Sequence, residues 1–291
     1  MINKIAFLGT PEISTTTLRF LFDKGYQIPL VVTGADKKRG RGSALSPSPV
    51  SSLASELGLQ ISHQPKDLLE VEFDLAVVVA YGRLISEELL SKGLFVNLHF
   101  SLLPRWRGAA PMERAILSGD EKTGISVMQL VKELDAGPIY RMRETPLTEE
   151  MTLSDLSAQL SDMANGALWE ELSLGERAFS NPKPQLGEVT YAHKLTADDL
   201  RIDWSGRAKE EIRKVRVGKA WSTFEGKRIK ILSAEAIKDN LDIAPGQFVG
   251  DLVATSDGAM RLLRVQPENK REMDAQAWLN GIQKPAGGLF V

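Results

Sequence analysis

The chain has no cysteine. Disulfides, thiolate nucleophiles and cysteine-bound metals are therefore excluded, and the composition suits a reducing compartment. Histidine is nearly as scarce. His63, His99 and His193 are the only three in 291 residues and lie far apart in sequence, so no metal site is expected. No apolar run approaches the roughly 18–20 residues that span a bilayer. The opening residues 1–10 lack the apolar core and cleavage site of a secretory signal. A cytoplasmic protein without membrane association is the expectation. What is present is ordinary for a globular chain, with 43% hydrophobic and 25% charged residues. The length suffices for two domains.

The net charge of −2 is unevenly spread: residues 201–291 carry +4 and the rest −6. Within 207–230 the basic residues Arg207, Lys209, Arg213, Lys214, Arg216, Lys219, Lys227, Arg228 and Lys230 outnumber Glu210, Glu211 and Glu225. Such an excess suits a polyanion, although a solvated helix face has the same pattern.

Lys4–Leu8 reads as a strand ended by Gly9-Thr10-Pro11, with Thr10 the expected N-cap and Pro11 at the first helical position. A helix over Ile13–Asp23 should face Leu18, Leu21 and Phe22 to a sheet, and a strand over Ile28–Val32 follows. This opening predicts a doubly wound, mostly parallel sheet. The first turn has a single glycine, which does not make the G-x-G-x-x-G dinucleotide fingerprint. Residues 35–49 form a long connection with four basic residues, either a cationic arm that grips phosphate or a solvated loop. Residues 74–80 read as a buried strand running into Tyr81-Gly82. Thr152 with Asp155 marks a capping box before the apolar stripe Leu156, Leu160, Met163, Leu168 and Leu172. Ser180-Asn181-Pro182-Lys183-Pro184-Gln185 cannot be helical and reads as a linker. Beyond it come a short basic helix over 207–217 and short extended stretches separated by glycine and proline, the pattern of a small β-barrel. The expected domains are 1–180, a linker over 181–200, and 201–291.

The chemistry concentrates in 94–111. There an apolar strand is interrupted by Asn97 and His99, two positions apart and so on one face. Burying unpartnered polar groups costs about 1–3 kcal/mol each. Pro104 ends the ladder, and catalytic groups of open α/β sheets lie at the carboxyl ends of strands. These two side chains either satisfy loop carbonyls or work chemically. Histidine moves protons near neutral pH and asparagine can stabilise an oxyanion. Asp135, in the Glu133–Pro138 turn, is the best candidate to orient the imidazole. On the residues alone, acyl-type transfer or hydrolysis without metal or cysteine fits.

Asn97-Leu98-His99-Phe100-Ser101-Leu102-Leu103-Pro104 resembles the N-x-H-x-S-L-L-P signature of the folate-dependent formyltransferases, and Leu134-Asp135-Ala136-Gly137 is similar to their second motif. Residues 105–111 (RWRGAAP), Gly9-Thr10-Pro11-Glu12 and residues 39–42 (RGRG) narrow the likeness to members that formylate methionyl-tRNA. The resemblance implies a Rossmann-like catalytic domain and an OB-like C-terminal barrel that touches tRNA. It also implies 10-formyltetrahydrofolate as donor, the α-amine of initiator methionyl-tRNA as acceptor, and a monomer. By position it implies Asn97, His99 and Asp135 as the catalytic trio, with a charged His99 donating to the formyl oxygen. Folate contacts are implied at Ser101, Leu102, Leu103 and Pro104 and around Ala80, Tyr81 and Gly82, and tRNA contacts at Arg41 and its neighbour Arg39. Lys214, Arg216 and Lys219 of the basic window are the expected tRNA contacts in the barrel. Residues 215–224 keep Trp221 but lack the prolines usual there. Formylation of a sugar nucleotide or a purine precursor, and RNA binding without catalysis, are the competing readings.

Overall fold

The computed structural model describes residues 2–38, 45–239, 241–282 and 288–291. The chain divides into two compact units: Met1–Met112, Lys122–Pro146 and Leu156–His193 form one, and Glu113–Glu121, Leu147–Asp155 and Lys194–Val291 form the other.

The first unit is built on a seven-stranded sheet: β1 (Ile5–Gly9), β2 (Val31–Val32), β3 (Ile61–Ser62), β4 (Leu75–Val79), β5 (Phe95–His99), β6 (Lys122–Gln129) and β7 (Ile139–Pro146), in the order β7-β6-β5-β4-β1-β2-β3. The five strands β1 to β5 are parallel to their neighbours among themselves, and β6 and β7 add an antiparallel edge. Leu75-Ala76-Val77-Val78-Val79 is buried throughout, as a central parallel strand covered on both faces requires. On one face Ala6, Leu8, Ala76 and Val78 pack with Leu68, Leu89 and Tyr81.

Helix α1 (Glu12–Asp23) follows β1. Its cap residue is Pro11, without a side-chain capping bond. Thr10 is not the N-cap: its hydroxyl accepts from the Gly34 N–H at 3.2 Å and lies 3.4 Å from the Tyr81 carbonyl. The threonine thus ties together the loops after three strands, a long-range use that local cap rules do not anticipate. Leu18 and Leu21 are buried as expected, whereas Phe22 is 38% exposed. The aromatic of α1 that finds a partner is Phe20, edge-on to Trp169 of helix α2 (Leu153–Leu172). The buried Thr17 and Asn165 side chains join the same two helices at 2.8 Å. The stretch read as a linker is extended, and Lys183 pairs with Ile139 through bonds of 2.7 and 2.8 Å.

In the second unit the Thr152–Asp155 box forms as the sequence indicates, with the Thr152 hydroxyl 2.6 Å from Asp155. Helix α3 (Ala208–Val217) precedes an antiparallel curled sheet of β8 (Trp221–Phe224), β9 (Lys227–Ile237), β10 (Phe248–Val249), β11 (Leu252–Ala254) and β12 (Ala259–Pro267), ordered β8-β9-β12-β11-β10. Val291 exchanges two 2.9 Å backbone bonds with Thr223 beside one edge, and the Phe290 N–H donates to Gly246 beside the other. The C-terminal residues therefore span the opening between the edges. Phe224, Phe248, Trp278 and Phe290 fill the interior with ring centroids 5.2–5.9 Å apart. Among the described residues no helix is long and apolar enough to cross a membrane.

Asp199 pins the start of this unit. Its carboxylate accepts from the Thr196 N–H at 2.7 Å, the Thr196 hydroxyl at 2.8 Å and Arg114 at 3.0 Å. These bonds, the Thr196 backbone foremost, hold its carboxyl below the usual carboxylate range. A lowered folded-state pKa gives stability that is present above the unfolded-state value and lost as pH falls through the folded-state value. We expect melting temperatures recorded from neutral pH to below about pH 4 to fall less steeply for Asp199→Asn than for the parent chain. Parallel curves would contradict this.

Candidate active site

The pleat of β5 turns Asn97 and His99 to one face at the carboxyl end of the sheet. They line a cavity of about 360 Å³ together with Ala80, Tyr81, Gly82 and Asp135. Asn97, His99 and Asp135 are only 9%, 5% and 8% exposed. The cavity sits where ligands bind in open α/β sheets, outside the strand ends.

His99 and Asp135 are each secured by a backbone group. His99 Nε2 lies 2.9 Å from the Trp106 carbonyl oxygen. A carbonyl only accepts, so Nε2 carries the hydrogen and Nδ1 is the nitrogen left for chemistry. Nδ1 faces Asp135 Oδ2 at 3.7 Å, an ion-pair distance longer than a hydrogen bond. The same Oδ2 accepts the Gly108 N–H at 2.7 Å. Among the described residues no hydrogen bond engages the Asn97 carboxamide, which leaves its amide available to the cavity.

The loops that supply these groups are strained. Ala80 (φ +44°), Trp106 (φ +66°) and Asp135 (φ +47°) occupy the left-handed region without being glycine, at a cost of about 1–3 kcal/mol each. The neighbouring glycines have steric reasons. A Cβ on Gly137 would stand 1.8 Å from the Gln129 carbonyl oxygen, and one on Gly108 would stand 2.8 Å from that of Ala192.

Tyr81 closes another wall. Its hydroxyl is buried without a hydrogen-bond partner among the described residues, and burial pushes the phenol up against the opposing pull of Arg83. Ser101, Leu102, Leu103 and Pro104 are not among the residues lining the cavity. The Ser101 hydroxyl donates to the Arg105 carbonyl at 2.6 Å, and Leu103 packs with Met128 and Ile139. These residues shape the loop that presents Trp106.

Of the expected RNA contacts, Arg39 and Arg41 lie outside the described residues. Lys214 is turned inward: its ammonium meets the buried Glu211 at 2.7 Å and the Arg201 carbonyl at 2.8 Å. Arg216 donates to the carbonyls of Met151 at 2.9 Å and Thr148 at 2.6 Å, and burial lowers its pKa. Both cations are half-buried and bonded within their unit. Lys219 is exposed. Within the basic window, Trp221 gathers a cluster in which Arg228 lies 4.0 Å and Arg201, outside the window, 5.5 Å from the ring centroid. Lys230 is directly opposite Trp221 in the β8–β9 register. The period-2 exposure of Arg228 and Lys230 was the available signal.

The doubly wound sheet thus brings Asn97, His99 and Asp135 together at the carboxyl end of β5. Residues 3–172 match the Formyl transferase family and residues 194–283 the Formyl transferase, C-terminal domain, family; the chain belongs to the formyl transferases. It is 34% identical to a methionyl-tRNA formyltransferase of Sulfurihydrogenibium sp. over 309 aligned positions, covering 99% of each chain. Among solved structures it resembles HypX from Aquifex aeolicus in complex with tetrahydrofolic acid (TM-score 0.70, 18% identity), covering 97% of this chain and about half, 48%, of that one. It also resembles a methionyl-tRNA formyltransferase from Clostridium thermocellum (TM-score 0.59, 17% identity), covering 81% of this chain and 93% of that one.

Gly137→Ala tests the packing of the aspartate turn. The added methyl has only backbone to displace, so we expect a loss of about 1–3 kcal/mol in denaturant unfolding. An unchanged midpoint would contradict the geometry.

Proposed function

We propose that this chain transfers the formyl group of 10-formyltetrahydrofolate to the α-amine of methionine carried by initiator tRNA. The observation that carries the reading is the convergence of Asn97, His99 and Asp135 on one cavity, in a chain alike end to end to an enzyme named for this acceptor. The cavity suits a flat heterocycle. Ala80 and Gly82 bring left-handed backbone to its wall, beside the ring of Tyr81.

The residues then divide the reaction. Asn97 donates its amide to the formyl oxygen as the amine adds to the formyl carbon and that oxygen becomes anionic; one such donor contributes about 3–4 kcal/mol of barrier. His99 Nδ1 takes the proton that the amine nitrogen must lose. Asp135, 3.7 Å away, stabilises the imidazolium so formed. His99 then returns the proton to the N10 nitrogen as its bond to the formyl carbon breaks. The products are the N-formylated aminoacyl-tRNA and tetrahydrofolate, so atoms and protons balance. The sequence-based reading, a charged His99 donating to that oxygen, differs from this one only at Nδ1, since the Trp106 carbonyl engages Nε2 in either state.

For the RNA, the Arg201–Trp221–Arg228 stack with Lys230 and Lys219 is the favoured contact surface. Stacking on a ring holds guanidinium planes in place while their outer donors stay free for phosphate.

The direct test is an assay with purified chain, 10-formyltetrahydrofolate and charged initiator tRNA, run beside an amino-sugar nucleotide. We expect formyl transfer to the tRNA alone; transfer only to the nucleotide would overturn the reading. His99→Ala and Asn97→Ala should each lower kcat at least about a hundredfold with unchanged melting, and near-normal turnover in either would refute its role. The double change Arg228→Ala, Lys230→Ala should reduce the slope of log affinity against log salt by about two. An unaltered slope would remove the cluster from the RNA surface.

A further inference from the structure

The segment read as a linker bonds to both loops of the site. Gln185 lies between the Asp135 turn and the loop that follows β5. Its side-chain amide donates to the Asp135 carbonyl at 2.7 Å and to the Gly137 carbonyl at 2.9 Å. Its side-chain oxygen accepts from Arg107 Nε at 3.1 Å and Nη2 at 2.7 Å. The chain then continues to Tyr191–Ala192, which pair in parallel with Arg107–Gly108. The Gly108 N–H in turn holds the Asp135 carboxylate.

These bonds close a ring. It runs from the Asp135 carboxylate to Gly108, along the chain to Arg107, through the guanidinium to Gln185, and back to the carbonyl of Asp135 itself. We propose that Gln185 is a positioning residue for Asp135, clamping the strained turn so that its carboxylate stands at the working distance from His99. The inference rests on the reading of His99 and Asp135 as the proton-handling pair.

Only a carboxamide fits the place. Two carbonyls demand donors and a guanidinium demands an acceptor, and glutamine supplies both from one planar group. A carboxylate would set an anion against two carbonyl oxygens, and an ammonium would face Arg107. Asparagine is one methylene shorter and cannot span the same gap. The turn needs such a fastening because Asp135 sits at φ +47°, and a conformation of that kind persists only where its surroundings over-determine it.

The test uses the full chain carrying Gln185→Ala or Gln185→Glu. For both we expect kcat to fall about 10- to 100-fold, with KM for the formyl donor within about threefold and cooperative melting retained. In an Asp135→Asn background Gln185→Ala should bring little further loss of kcat, because the group it positions is already gone. Hydrogen exchange at the Gly108 amide should accelerate in Gln185→Ala. An unchanged kcat, or a loss that multiplies with that of Asp135→Asn, would overturn the clamp. So would unchanged protection of the Gly108 amide, a result readable even in a chain that transfers no formyl group. Absence of transfer by the parent chain would instead sink the functional reading, leaving Gly108 exchange to decide the clamp.

Discussion

An imidazole and a carboxylate 3.7 Å apart, each fixed by a backbone group rather than by the other, set the terms on which the rest of the first unit is built. At that separation the pair interacts as charges do, by an energy that depends on how dry the site is. The Trp106 carbonyl fixes the tautomer, and the Gly108 N–H fixes the carboxylate. Left-handed backbone at Trp106 and Asp135 is the conformational cost of bringing those two groups to their places.

The fold meets that cost by making the surroundings stiff. β5 is held between β4 and β6, so its carboxyl end cannot drift. Glycine at 137 and 108 lets neighbouring backbone pass within distances that any side chain would block. Threonine 10 links the loops after β1, β2 and β4 through one hydroxyl. Polar groups buried for these purposes find partners, and the exception is informative. The Asn97 amide has none among the described residues, and it stands at the cavity wall where a ligand would complete it.

Much of this was legible in the residues because it is local. Period-2 alternation placed Asn97 and His99 on one face, the all-apolar run from Leu75 marked a central strand, and Thr152 with Asp155 announced a helix start. The Asn-His-Ser-Leu-Leu-Pro signature added the family. What escaped depends on partners far away in sequence. Thr10 has the composition of a cap yet serves loops 24 and 71 residues distant. Lys214 and Arg216 look like surface charge until Glu211 and the carbonyls of Thr148 and Met151 are seen beneath them. Gln185, just after Pro182 and Pro184, has every mark of a linker residue, and nothing short of its contacts tells it from one. Phe22 shows the limit of a helical stripe, since the sheet covers a narrower arc than the apolar residues occupy.

The central claim is that His99 and Asp135 act as one unit. A double-mutant cycle on kcat for formyl transfer, combining His99→Ala with Asp135→Asn, addresses it most directly. If the account is right, the double variant is scarcely slower than the worse single one, because either change already disables the pair. If the two losses multiply, the residues contribute independently and the account is wrong.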